Sequence, residues 1–195
     1  MSLERTLSTQ RTVELADPRA LRALAHPVRL TLVSLLRREG PLTATQAGER
    51  IGESATTCSF HLRQLARYGL VEEAGGGRGR ERPWRATATA TSWPNVAETP
   101  EQAAASELLS SVVLGRYHER AMRWLAERAD DTLAWQKAAH FGDEVLYVTA
   151  EELEELGRAI DELAEAFRAR QTRPELRPED AREVTLIRLA FPTGA

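Results

Sequence analysis

In the first third of the chain the apolar residues recur at helical spacing in four short runs, each bounded by a residue that starts or stops a helix. Asp17 before Pro18 pairs an N-cap oxygen with a first-turn residue that has no N–H to satisfy, predicting a helix over about 18–25 with Leu21 and Leu24 inward. His26-Pro27 interrupts it, because the residue before a proline is displaced from the helical region. A second helix runs to about Arg38 on Val28, Leu32, Leu35 and Leu36, with Gly40 as its stop. Thr43 and Gln46 match a capping box, with Leu42 and Ala47 as a weak staple, and the two-turn helix they open ends at Ile51-Gly52. Ser54 caps a fourth helix that reaches about Tyr68. Two helices joined by a turn of about three residues form the helix-turn-helix arrangement.

On the fourth helix Cys58, Leu62 and Leu65 share one face, so that face is buried. The opposite face carries Thr56, Phe60, Arg63 and Arg67, with Thr57, Ser59 and Gln64 on its shoulders. Hydroxyls there can bond phosphates or base edges, Arg63 can reach guanine O6 and N7, and Phe60 can touch a thymine methyl. Beyond it, residues 70–74 and 80–86 alternate as strands around a Gly-rich turn at 75–79, and Pro83 confines the second strand to an edge or an unpaired position. Arg78, Arg80, Arg82 and Arg85 make this hairpin an arginine-tipped wing, suited to the phosphate backbone beside a groove.

Residues 86–100 contain two prolines and alternate Ala and Thr, which predicts a linker. A long helix follows over about 101–129, with an apolar stripe from Leu108 to Leu125 wide enough for its own domain and a second subunit. Thr149 and Glu152 form a second capping box, opening a helix whose Leu153, Leu156, Ile160, Leu163 and Phe167 make a heptad seam. Residues 144–148 and 183–191 read as strands that pair beneath that seam.

The net charge of −3 hides an asymmetry. Residues 1–95 hold 14 Arg against 9 acids, a balance of +5, and the rest holds 12 basic residues against 20 acids, a balance of −8. A basic first half beside an acidic second suits a polyanion-binding module joined to a solvated partner module. The apolar runs are too short for a membrane helix and the N-terminus has no signal-peptide core, so a soluble cytoplasmic protein is expected. One cysteine, Cys58, permits no internal disulfide and no thiolate metal cage. His26, His61, His118 and His140 are scattered, so no metal and no cofactor is expected. The adjacent acids at 130–131, 143–144, 151–152 and 154–155 read as solvated helix ends. With no nucleophile elbow or phosphate loop, an enzyme is not expected.

Residues 25–36 (AHPVRLTLVSLL), 46–52 (QAGERIG) and 54–71 (SATTCSFHLRQLARYGLV) resemble the ArsR-type winged helix-turn-helix transcriptional regulators of bacteria over about 15–90. Arg-Glu-Arg-Pro-Trp-Arg at 80–85 further resembles a subgroup common in actinobacteria with a longer C-terminal region. The resemblance implies that 54–68 is the recognition helix and 70–87 the wing. Ser54, Thr56, Thr57, Ser59, Phe60, Arg63, Arg67, Arg78, Arg80 and Arg82 are the expected DNA contacts. It departs from the metal-sensing members, which carry a cysteine pair where this chain has Ala44, Gln46, Ala47, Gly48 and Glu49.

The expected fold is mainly α with small β: a winged helix-turn-helix domain with an N-terminal arm over 1–92, and a C-terminal α/β dimerisation domain over 93–195. The expected function is a sequence-specific DNA-binding transcriptional regulator, a homodimeric repressor on a double-stranded operator. Tyr117, Trp124, Trp135, Phe141 and Tyr147 form a candidate pocket for a small hydrophobic effector. The competing reading is a winged-helix module that docks a protein around Phe60 and reads no DNA.

Overall fold

A computed structural model describes residues 12–77 and 82–193. The fold is mainly α with small β, and the chain divides into two compact units, the first closing with Arg116 and the second holding the described residues from Tyr117 onward.

The first unit opens with strand β1 (Thr12–Glu14) and helices α1 (Pro18–Leu24), α2 (Pro27–Glu39), α3 (Ala44–Ile51) and α4 (Ala55–Arg67). Their ends follow the local chemistry. The Asp17 carboxylate accepts from the Arg19 N–H at 2.8 Å, and both halves of the Thr43–Gln46 capping box form. Gly52 supplies the left-handed turn that ends α3. The hairpin strands β2 (Val71–Glu73) and β3 (Trp84–Ala86) are antiparallel, with Glu72 opposite Arg85 and Glu73 opposite Trp84. Trp84 also exchanges two backbone hydrogen bonds with Leu42, at 3.0 and 2.8 Å, fastening the wing to the segment before α3. Pro83 precedes β3, where its missing N–H costs no ladder bond. One core of Leu21, Leu24, Leu32, Leu35, Leu36, Leu62, Leu65, Leu70 and Trp84 holds these elements together.

The expected linker at 86–100 is corrected. Residues 90–92 form strand β4 (Ala90–Ser92), parallel to β1, and Arg37 reaches into this segment from α2. Its Nε donates to the Ala88 carbonyl at 2.9 Å and its guanidinium to the Thr91 hydroxyl at 2.5 Å, and burial pulls its pKa down to about 10. Composition showed only an Ala/Thr run; a buried donor on another element gives that run its structure. Helix α5 (Pro100–Glu127) then places Ala105 and Leu109 in the same core. Gln102 Nε2 donates to the Ala16 carbonyl, and Arg22 pairs with Glu101 at 2.9 Å. These contacts carry the first unit past residue 92, as far as residue 116.

The second unit holds the end of α5, helix α6 (Leu133–Ala138) and helix α7 (Ala150–Thr172), with 3-10 turns at Arg128–Asp130 and Pro174–Leu176. The Thr149–Glu152 capping box forms as expected. The strands expected at 144–148 and 183–191 are corrected: among the described residues of this unit there is no strand, so its expected α/β character is not found. A strand needs a neighbour for its N–H and C=O groups, whereas a capped helix satisfies its own; α7 therefore forms and the strand pair does not. None of the unit's described residues is buried, and the seam of α7 stays open, with Leu163 at 74% exposure.

Candidate nucleic-acid interface

Gly52, Glu53 and Ser54 make the three-residue turn between α3 and α4, and it is tight. A Cβ on Gly48 would lie 2.5 Å from the Glu53 carbonyl oxygen, so only glycine lets the turn close against α3. The Ser54 hydroxyl accepts from the Thr57 N–H at 3.0 Å and shares a hydrogen bond with the Thr57 hydroxyl at 2.8 Å. Ser54 and Thr57 are thus engaged in the cap, and both sit at the amino end of α4, where free N–H groups favour an anion.

The burial of α4 follows the predicted phase. Cys58, Leu62 and Leu65 are fully buried, joined by His61, while Thr56, Phe60, Arg63 and Arg67 are exposed. Phe60 is 55% exposed and stands edge-on to the His61 ring, with 5.3 Å between centroids. Among the described residues neither Arg63 nor Arg67 has an acidic partner in an ion pair.

A groove of about 820 Å³ runs between α3, α4 and the wing, lined by Thr43, Ala44, Thr45, Gln46, Ser59, Arg63, Glu73, Arg82 and Trp84. It brings together three expected contacts, Ser59, Arg63 and Arg82, and adds the amino end of α3, which the sequence reading did not include. The capping box at Thr43 was the available signal, because it marks the positive end of a helix dipole. The described wing arginines both face glutamates. Arg82 pairs with Glu73 at 3.1 Å and Arg85 with Glu72 at 2.8 Å, both across the hairpin. Arg78 and Arg80 lie outside the described residues.

Behind the groove, His61 meets His26 with ring centroids 4.6 Å apart. Nδ1 of each ring and Nε of Arg29 are buried and make no hydrogen bond among the described residues. Burial pushes both imidazoles below their ordinary range, and Arg29 pushes them further, against a small opposing pull from Glu53. The unfolded chain therefore takes up these protons first. The fold should keep its full stability above about pH 6.5 and lose part of it as pH falls from there through the lowered folded values. Thermal melts from pH 7.5 to 5.0 should show a steeper fall for the parent than for the His26→Gln/His61→Gln variant; parallel slopes would contradict this.

The five expected effector residues are dispersed. Tyr117, Trp124 and Trp135 are half-buried, with the Arg128 guanidinium 5.8 Å from the Trp124 ring centre and that of Arg182 5.0 Å from Trp135. Phe141 and Tyr147 are 75% and 98% exposed, so neither is enclosed by this chain alone. Among the described residues no group of three or more His, Cys, Asp or Glu could hold a metal, and no helix is long and apolar enough to cross a membrane.

A helix-turn-helix domain family matches residues 24–74, from the end of α1 through β2. The chain carries a helix-turn-helix domain. The matched span covers both helices of the motif, their turn and the first wing strand, while the wing's return and all of α5 to α7 lie beyond it. No curated protein matches the chain in sequence. Among solved structures, the chain is similar to the PcaV transcriptional regulator from Streptomyces coelicolor, in complex with its natural ligand, at 17% identity and a TM-score of 0.32. That similarity covers 73% of this chain and 76% of the regulator, and a superposition this loose says nothing of ligand or partner.

Proposed function

We propose that this protein is a sequence-specific DNA-binding transcriptional regulator of the ArsR-type winged helix-turn-helix kind, acting as a homodimeric repressor. The observation that carries the reading is the groove: a helix amino end, the exposed Arg63 and the wing's Arg82 line one channel beside the exposed face of α4. Such a channel suits a phosphate strand, with α4 laid in the adjacent major groove. Arg63 then reads a base edge. Arg63→Ala should cost about 1–3 kcal/mol on the operator and relax base preference at one position. Fluorescence anisotropy against duplexes from the protein's own upstream region, at stated salt, tests this; an equal loss on every sequence would refute base reading.

The second copy is supported by the second unit, none of whose described residues is buried and which leaves Leu163, Phe167, Val184 and Phe191 exposed. Apolar area on this scale is stabilised only when covered, and a two-fold pair sets two recognition helices about 34 Å apart on one DNA face. The same pairing is what would gather Tyr117, Trp124, Trp135, Phe141 and Tyr147 around a small hydrophobic effector. The rival, a protein-docking module, is favoured by the exposure of Phe60 alone. It predicts that Phe60→Ala abolishes partner capture and that the upstream duplex is bound no more tightly than an unrelated one.

A further inference from the structure

We propose that Glu73 governs how tightly, and with what salt dependence, the groove holds DNA: in the free protein its carboxylate retains Arg82, and binding exchanges that partner for a phosphate. This rests on the DNA reading above. Glu73 and Arg82 both line the groove, and Arg82 Nη1 lies 3.2 and 3.1 Å from the two Glu73 carboxylate oxygens. Both side chains are exposed, so the pair is weak and readily exchanged. A phosphate entering the channel nevertheless meets one negative charge placed beside the arginine it would use.

Salt dependence exposes the exchange. Each phosphate neutralised by a protein cation releases about 0.9 of a counterion from duplex DNA. When Arg82 must leave Glu73 first, the abandoned carboxylate attracts cations of its own, so the net release at that contact is smaller. Removing the carboxylate restores it.

The hairpin supplies its own control. Side chains alternate between the two faces of a strand, and Glu72 with its partner Arg85, bonded at 2.8 Å, does not line the groove. Glu72→Gln removes the same formal charge as Glu73→Gln, next to an arginine one register away.

Full-length parent, Glu73→Gln, Glu72→Gln and Glu73→Gln/Arg82→Gln are titrated onto a duplex from the protein's upstream region and onto an unrelated duplex, over a series of salt concentrations. Glu73→Gln should bind both duplexes about three- to tenfold more tightly at low salt, with a steeper log–log salt slope, by at most about one. Glu72→Gln should stay within about twofold of the parent, and the double variant should lose the gain. Equal gains from Glu73→Gln and Glu72→Gln would reduce the effect to bulk charge and overturn the proposal. So would weaker binding by Glu73→Gln, which would make Glu73 a support that positions Arg82. Parent binding with an unchanged Glu73→Gln overturns this proposal alone, whereas failure of every protein to bind either duplex at low salt overturns the DNA reading beneath it.

Discussion

Replacing Leu156 and Leu163 together with glutamate should convert the proposed dimer into a monomer and lower affinity for a duplex with two half-sites by about 10²–10⁴-fold, while binding to a single half-site changes little. The two residues lie on the heptad seam of α7 and are 37% and 74% exposed, so within one chain a charge at either position keeps access to water. Across a paired seam the same two charges from each copy would be desolvated without partners. The affinity loss follows from tethering: the second half-site is reached from an effective concentration that the dimer alone supplies. Light scattering gives the mass and anisotropy the affinity. The far-UV melt of the helix-turn-helix unit, whose buried core is drawn from Leu15 to Leu109, should be retained. A double variant that stays dimeric, or a monomer that binds two half-sites as well as its parent, would remove α7 from the interface.

The second large effect is expected at Gly48. Gly48→Ala adds one methyl group, 2.5 Å from the backbone oxygen of Glu53, and a backbone atom cannot swing aside as the tip of a side chain can. The turn must open, at about 1–3 kcal/mol, and melting should fall by about 4–8 °C per kcal/mol in a unit of this size. DNA affinity should fall further than stability does, because α4 is aimed by that turn. Gly115→Ala is the control. Gly115 lies in α5 with no atom within 4 Å of the added Cβ, so there alanine should raise stability by about 0.5–1 kcal/mol. Opposite signs from one chemical change would assign the effect to the α3–α4 approach; two losses of equal size would not.

Much of the first unit was legible because its determinants are local. Asp17, Thr43 and Ser54, and likewise Thr149 in the second unit, each accept the N–H that capping chemistry assigns them. The period of Cys58, Leu62 and Leu65 gave the buried face of α4, and with it the exposed Arg63 and Arg67. Each inference needed only neighbours within a turn or two. The misreadings all involve partners distant in sequence. Arg37 structures residues 88–91 from α2, β1 pairs with β4 across most of the unit, and Glu73 and Arg82 meet over the hairpin. Residues 144–148 and 183–191 have strand-like composition, but composition provides no partner for a ladder.

By itself, then, the order of amino acids determined the capped helices, the three-residue turn between α3 and α4 and the face that α4 buries, since hydrogen bonds and periodicities within a few residues decide those. Only the tertiary structure decided that the first unit reaches residue 116, that the amino end of α3 lines the groove with Arg63, and that glutamates hold the described wing arginines. Those depend on which distant groups come within about 3 Å of each other, a distance no local pattern encodes.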